Sequence, residues 1–352
     1  MNEPVTRKNP SYTAVSTVAS KRISVWDGWR GIAISMVLCG HFYDIKWLWE
    51  DRMGVDIFFV LSGMLMSIIL FDKRQSLKDF YIRRLSRIYP ALLVFVLTMF
   101  GFAALTSLPF AGSEIISSLV FLRTYFPAEP GIWDTPVTVA HLWSLNIEEH
   151  AYLFLSFLTL LMVNRRHIAQ LLLLLTVVSI ALSFYKYFTL PAEAFTLHLI
   201  RTESSVVFIF VSAAYGLLYR QARWSVHPLL PLVCFLAAIL CYAESAPTWL
   251  IFTVSPILLA ITVNHLEQLP ELLSRLLSFT PLRYIGLWSY SVYLWQQFFY
   301  EYSWKIPGGP IVAMLLAIAV GAASFYFLEN PVRHWINAKW SANPRYRTSS
   351  NV

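Results

Sequence analysis

An acid, a guanidinium and an imidazole, Asp27, Arg30 and His41, lie in one apolar stretch, ISVWDGWRGIAISMVLCGHF over residues 23–42. That stretch is long enough to cross a bilayer, since about 20 helical residues span the hydrocarbon. An ionisable group at membrane depth costs roughly 2.5–3.5 kcal/mol on insertion scales, so such groups face the protein interior and mark a pathway or a reaction site. Eleven residues separate Arg30 from His41. At about 100° per residue they return to within roughly 20° of one helical face, about 16 Å apart along the axis, and Asp27 joins that face. An imidazole can act as a general base, and a guanidinium can polarise a carbonyl or grip an anion.

Other segments carry candidates for the same chemistry. GVDIFFVLSG, from residue 54, places Asp56 near the depth of His41, and Ser62 and Gly63 would let another helix approach closely. FYIRRLSRIYP, residues 80–90, holds Arg83 and Arg87 four apart on one face with Arg84 at the shoulder. Such a cluster either binds phosphate in bidentate fashion or anchors the chain at the membrane surface. In HLWSLNIEEHAY, from residue 141, His141, Leu145, Glu148 and Tyr152 share a helical face. A carboxylate there can orient a histidine base, while Glu149, about 100° round, reads as a helix N-terminal cap. Arg201 and Glu203 read as an ion pair, with acceptor binding by Arg201 as the other reading; His227 and His265 read as solvated. Gln296 and Gln297 within one apolar segment require partners across helices or in a cavity, and Glu329 and Arg333 read as a helix-end anchor. No phosphate-cradling glycine loop, nucleophile elbow, HExxH pattern or 20–50-residue repeat is present.

These residues must be positioned by membrane helices. The composition is 57% hydrophobic and 13% charged, with mean hydropathy +0.57, whereas soluble domains run near 25% charged. The sequence reads as an all-α integral membrane protein, a bundle of about ten transmembrane helices starting near Ile23, Gly54, Ile88, Trp143, Ile168, Ser204, Pro228, Pro247, Tyr284 and Gly309. Lys and Arg outside the spans concentrate in the N-terminal segment, Lys73–Arg87 and the C-terminal segment, which puts both termini in the cytoplasm. The expected organisation is a disordered cytoplasmic tail over 1–22, not a signal peptide, a membrane domain over 23–335 and a cytoplasmic tail over 336–352. Basic loops beside anionic lipid account for the net charge of +7 without a nucleic-acid partner. Cys39, Cys234 and Cys241 fall inside spans and offer no disulfide framework or metal pair. The long, aromatic, Pro-rich loop from Ala111 to His141 reads as functional, and its run IISSLVFL is too short to span.

Taken in order, WDGWRGIAISMVLCGHF, GVDIFFVLSG, FYIRRLSRIYP, HLWSLNIEEHAY, SYSVYLW and YFLENPVRHW resemble the family-3 membrane acyltransferases that O-acetylate cell-surface glycans, over about residues 24–335. The family's Arg-x10-His signature matches Arg30 and His41; its WSLxxE motif matches Trp143, Ser144, Leu145 and Glu148; its RRxxRIxP motif matches Arg83, Arg84, Arg87 and Pro90. The resemblance implies a multi-pass enzyme of the plasma (cell inner) membrane that moves an acetyl group from acetyl-CoA to a sugar hydroxyl of a glycan or lipid-linked acceptor such as O-antigen, without a metal. His41 would be general base or acyl relay, oriented by Glu148 or, as a weaker candidate, Asp56. Arg30 would polarise the thioester or hold the pantetheine arm, and Arg83, Arg84 and Arg87 would grip the nucleotide phosphates. Trp143, Ser144, Tyr152 and Arg201 would contact the acceptor. The chain departs from the family where Gln296 stands in place of a frequent histidine, where His150 and Ala151 follow the glutamates, and in the roughly 17 polar residues after the last span, too few for an appended esterase-like domain. Proton-coupled transport and a small-molecule acceptor are the alternatives, the first because buried Asp, Arg and His also build proton pathways.

Overall fold

The computed structural model describes residues 10–43, 47–161, 164–222 and 225–341, with side chains from Ser24 onward. Among these residues the chain folds into helices α1 (Pro10–Tyr43), α2 (Glu50–Met66), α3 (Leu77–Leu105), α4 (Gly112–Leu119), α5 (Trp143–Leu161), α6 (Arg165–Thr189), α7 (Ala192–Leu199), α8 (Thr202–Ala222), α9 (Leu230–Cys241), α10 (Trp249–Asn264), α11 (Glu271–Leu277), α12 (Thr280–Glu301), α13 (Gly309–Ser324) and α14 (Asn330–Trp340), and no strand forms. Each expected start lies within, or two residues before, one of these helices. Five segments are long and apolar enough to cross a membrane, by length and composition: Glu50–Asp72, Leu77–Leu105, Arg165–Thr189, Thr202–Ala222 and Gly309–Trp340. The remaining helices are shorter or carry the polar residues of the site.

Local chemistry sets the helix ends. Ser76 Oγ accepts from the Asp79 amide at 3.2 Å and Asp79 lies in the first turn of α3, so a side-chain cap and a negative charge both meet the free N–H groups there. Asn164 caps α6 in the same way through the Arg166 amide. α2 continues through a π-helical turn, Ser67–Asp72, and a second such turn, Phe325–Glu329, joins α13 to α14.

α2 and α8 form the buried centre. α1 packs on α2 and carries α12 on its other face, and α6 and α10 pack on α8. Close approach relies on missing side chains: Gly63 of α2 lies against the Ile209 backbone of α8, and Gly286 of α12 against the Asp27 backbone of α1. α1 and α12 run parallel, because Gly286 meets Asp27 at one level and Gln296 meets His41 farther along both helices.

Several expectations change. α1 already begins at Pro10, inside the stretch read as a disordered tail, and α14 runs to Trp340, past the expected tail boundary at 336; residues 1–9 and 342–352 lie outside the described residues. The Ala111–His141 loop is built around a fully buried ion pair, Arg123 to Glu114 at 2.9 Å, whose guanidinium also donates to the Pro130 and Gly131 carbonyls. Its apolar run forms α4. His265 is completely buried, with Nε2 2.7 Å from the Tyr215 hydroxyl, so the solvated reading fails for it, while His227 is exposed.

Candidate active site

α1 delivers its column of charged groups to more than one place. Arg30 stays with its helix neighbour, donating to Asp27 Oδ1 at 3.4 Å, and lines a cavity of about 120 Å³ in the middle of the bundle. His41, farther along the same helix, lines a separate cavity of about 400 Å³ toward the other end.

His41 is held by residues outside the expected set. Its Nδ1 donates to Gln296 Oε1 at 2.8 Å, its ring stacks on Tyr300 with centroids 5.0 Å apart, and its Nε2 lies 3.9 Å from Asp51 Oδ2. An amide oxygen can only accept, so this geometry puts the ring proton on Nδ1 and the lone pair on Nε2. Gln296 is thus the orienting partner at the position where the resemblance marks a departure. The rule that amides in an apolar segment need partners gave a signal for it.

Glu148 does not orient His41; the two line different cavities. Its carboxylate accepts from Arg84 at 2.8 Å, from the Tyr152 hydroxyl at 2.7 Å and from Ser62. Arg84 also donates to Glu149 at 2.7 Å and lies over the Tyr152 ring, 4.1 Å from its centre. α5 starts at Trp143, so both glutamates lie beyond its first turn and Glu149 is an ion-pair partner, not a cap. Arg84 is therefore committed to the interior. Its two carboxylates and the tyrosine bind α3 to α5 across the middle cavity.

Asp56 is likewise engaged elsewhere. It is fully buried and accepts through Oδ2 from Arg52 Nε and from the Tyr242 hydroxyl, each at 2.9 Å. Arg52 donates on to the Leu199 carbonyl and Ser205 and lies over the Trp143 ring. The carboxylate thus fixes a guanidinium on the wall of the His41 cavity. Arg52 and Asp56 are four apart on α2, the spacing that should have drawn attention to the pair.

Three cavities follow one another through the bundle. At the basic end, Arg83, Arg84, Arg87 and Arg333 line a cavity with Gln75 and Asn337. It shares Met66, Arg84 and Arg87 with the middle cavity, which also receives Arg30, Ser62, Glu148 and Tyr290. The middle cavity and the His41 cavity share only Val55 and Tyr293. Tyr293 is fixed there, its hydroxyl donating to the His141 carbonyl at 2.8 Å and lying 2.7 Å from Ser144 Oγ.

The expected acceptor contacts divide across this partition. Trp143 lines the His41 cavity, whereas Ser144 and Tyr152 line the middle one. Arg201 lines none of the three; it is exposed over the Tyr125 ring. In place of the expected Arg201–Glu203 pair, Tyr125 donates to Glu203 at 2.6 Å. His141 and Gln297 also line the His41 cavity, together with Asp51, Arg52 and Glu301, which were not singled out from sequence; Gln297 donates to Glu301 at 2.8 Å. Among the described residues no cluster of three or more His, Cys, Asp or Glu is placed to hold a metal ion.

Comparison with known proteins agrees with this arrangement of motifs. The family model described as an acyltransferase domain matches residues 23–339. The peptidoglycan O-acetyltransferase OatA of Listeria monocytogenes is 27% identical over 353 residues, covering 87% of this chain and 55% of its own length. YrhL of Bacillus subtilis, named as a candidate peptidoglycan O-acetyltransferase, is 26% identical, covering 87% of this chain and 54% of its own. A Staphylococcus aureus protein named as a candidate O-acetyltransferase is 32% identical over 141 residues, covering 36% of this chain and 23% of its own. The chain thus spans about half the length of the first two relatives, and no solved structure matches it. With the match running from the start of the Asp27, Arg30 and His41 column almost to the end of α14, the chain belongs to the membrane acyltransferase family defined by that domain.

Proposed function

We propose that this protein is a multi-pass plasma-membrane O-acyltransferase that takes an acyl group, acetyl in the simplest case, from acyl-CoA at the basic end of the bundle and passes it to a sugar hydroxyl in the His41 cavity. The observation that carries the reading is the series of three cavities, each sharing lining residues with the next, from the arginine-lined end to His41. Arg83, Arg87 and Arg333 present guanidinium groups suited to the nucleotide phosphates. The pantetheine arm then runs past Arg30 and Arg87 toward the Val55–Tyr293 partition. This resolves a geometric difficulty, since the donor is cytoplasmic while His41 lies about 16 Å farther along α1 than Arg30.

In the chemical step, His41 Nε2 removes the proton from the acceptor hydroxyl as that oxygen attacks the thioester carbonyl. The carbon–sulfur bond of the resulting tetrahedral adduct breaks, and the thiolate leaves with the proton taken by His41. Gln296 keeps Nδ1 protonated, and Asp51 offers negative charge to the imidazolium. The acceptor is a cell-envelope glycan. The names of two relatives point to peptidoglycan as its class, beside the O-antigen type that the motif resemblance implies.

The test is transfer of labelled acetyl from acetyl-CoA to envelope glycan by the purified protein in vesicles, with His41→Ala as control. Ester-linked acetyl on the glycan with the wild-type protein, and a loss of at least about 100-fold in the variant, is the expected result. Wild-type transport of a solute driven by a proton gradient, with no acyl-CoA consumed, would overturn it.

A further inference from the structure

The Ala111–His141 loop carries Trp133, and the way the loop folds brings that residue to the His41 cavity. The buried Arg123 guanidinium donates to the Gly131 carbonyl at 3.2 Å, two residues before Trp133, and Ile132 between them is buried. The Trp133 side chain is left 47% exposed on the cavity wall. Trp49 reaches the same cavity from the N-terminal end of α2, where its amide donates to the Tyr242 carbonyl at 2.9 Å, and it is 38% exposed.

Among the described residues no other aromatic ring and no cation lies against either indole. Two other large rings of the cavity are covered by the protein itself: Tyr300 stacks on His41 with centroids 5.0 Å apart, and Trp143 lies under the Arg52 guanidinium at 5.3 Å. Two indoles on backbone-anchored segments, beside an imidazole base, form a platform for a ligand with a flat face of C–H groups. A sugar ring has such a face. Its slightly positive hydrogens meet the negative face of an indole, and stacking removes apolar surface of both from water.

The charge of the walls narrows the class of sugar. Apart from the imidazoles, Arg52 is the one basic residue lining the cavity, and its three guanidinium nitrogens are engaged by buried Asp56, the Leu199 carbonyl and Ser205. Asp56 balances its charge. Asp51 and Glu301 have no Lys or Arg ion-pair partner among the described residues; Asp51 lies 3.9 Å from His41 Nε2, and Glu301 accepts from Gln297. The walls therefore present two uncompensated carboxylates, and a cleft lined by one sign of charge repels ligands of that sign. Resting on the acyl-transfer reading above, we propose that the acceptor is an uncharged sugar chain stacked on Trp133 and Trp49, and that Asp51 and Glu301 turn away glycans bearing carboxylate or phosphate at the reacting sugar.

Two tetrasaccharides test this, one of N-acetylglucosamine alone and one alternating it with glucuronate. Each is used with acetyl-CoA both as acceptor and as competitor of envelope-glycan acetylation by the protein in vesicles. The neutral chain should act in either role at a concentration at least about tenfold below that of the charged one, and added salt should narrow the preference by screening the carboxylates. Glu301→Gln, which keeps an oxygen to accept from Gln297, should narrow it about threefold with the acetyl-CoA KM unchanged. Trp133→Ala should raise the KM for the neutral chain about tenfold at unchanged kcat and melting temperature, and Trp133→Phe should restore most of the affinity. In a wild-type protein that acetylates envelope glycan, equal potency of the two chains, a preference for the charged one or no effect of the neutral one overturns this inference and leaves acyl transfer standing. That comparison needs no variant, so it decides even where Trp133→Ala does not fold. An unchanged KM in folded Trp133→Ala likewise overturns the stacking. A wild-type protein that acetylates neither tetrasaccharide nor envelope glycan overturns the acyl-transfer reading and this inference with it.

Discussion

Gln296 Oε1 sits 2.8 Å from His41 Nδ1, joining α12 to α1 at the imidazole that the proposed chemistry needs. Nothing else among the described residues reaches that nitrogen. The orientation of the base and its choice of tautomer therefore depend on an amide far away in sequence.

Gln296→Leu should lower kcat for glycan acetylation about tenfold, the cost of one lost buried hydrogen bond, with the acetyl-CoA KM unchanged. Gln296→Glu, which keeps an acceptor oxygen for Nδ1, should stay within about threefold of wild type. Steady-state kinetics on the reconstituted protein separate the two.

The pair Arg84 and Glu148 has a different task. Arg84→Ala leaves the Glu148 and Glu149 carboxylates facing one another without a cation and should destabilise the protein by roughly 3–5 kcal/mol. Glu148→Gln keeps an oxygen for Ser62, Tyr152 and Arg84 and should cost less. Thermal or denaturant unfolding in detergent measures both, and a stable Arg84→Ala would show that the α3–α5 connection does not need this ion pair.

Val55 forms the partition between donor and acceptor sides together with Tyr293. Val55→Ala should raise the relative rate with butyryl-CoA or hexanoyl-CoA over acetyl-CoA, because one or two methylenes are worth about 1–3 kcal/mol each in a tight apolar passage. Val55→Phe should cut transfer at least about tenfold while acyl-CoA binding, read by calorimetry, holds. Unaltered donor preference in both variants would place the acyl route elsewhere.

Arg87 and Arg333 face the basic cavity from different helices, α3 and α14. Replacing either by Ala should raise the acyl-CoA KM about tenfold, the weight of a charge-assisted contact, and leave the acceptor KM alone. Lys at either position should restore little, since it lacks the planar fork that meets a phosphate at two points. Added salt should weaken donor binding in the same direction.

The sequence by itself determined the helical membrane character, because composition and the length of apolar runs depend on no partner. Helical periodicity likewise fixed the common face of Asp27, Arg30 and His41, the arginine cluster on α3, and the shared face of Glu148 and Tyr152. Motif order was enough to indicate the family. The tertiary structure decided who meets whom. Period 3.6 says which residues of a helix face the interior but not which helix stands opposite or at what height, so the expected couple of His41 and Glu148 dissolved into two separate groupings, His41 with Gln296 and Asp51, and Glu148 with Arg84, Ser62 and Tyr152. The separation follows from the parallel course of α1 and α12 and from the depth at which α5 enters beside α2.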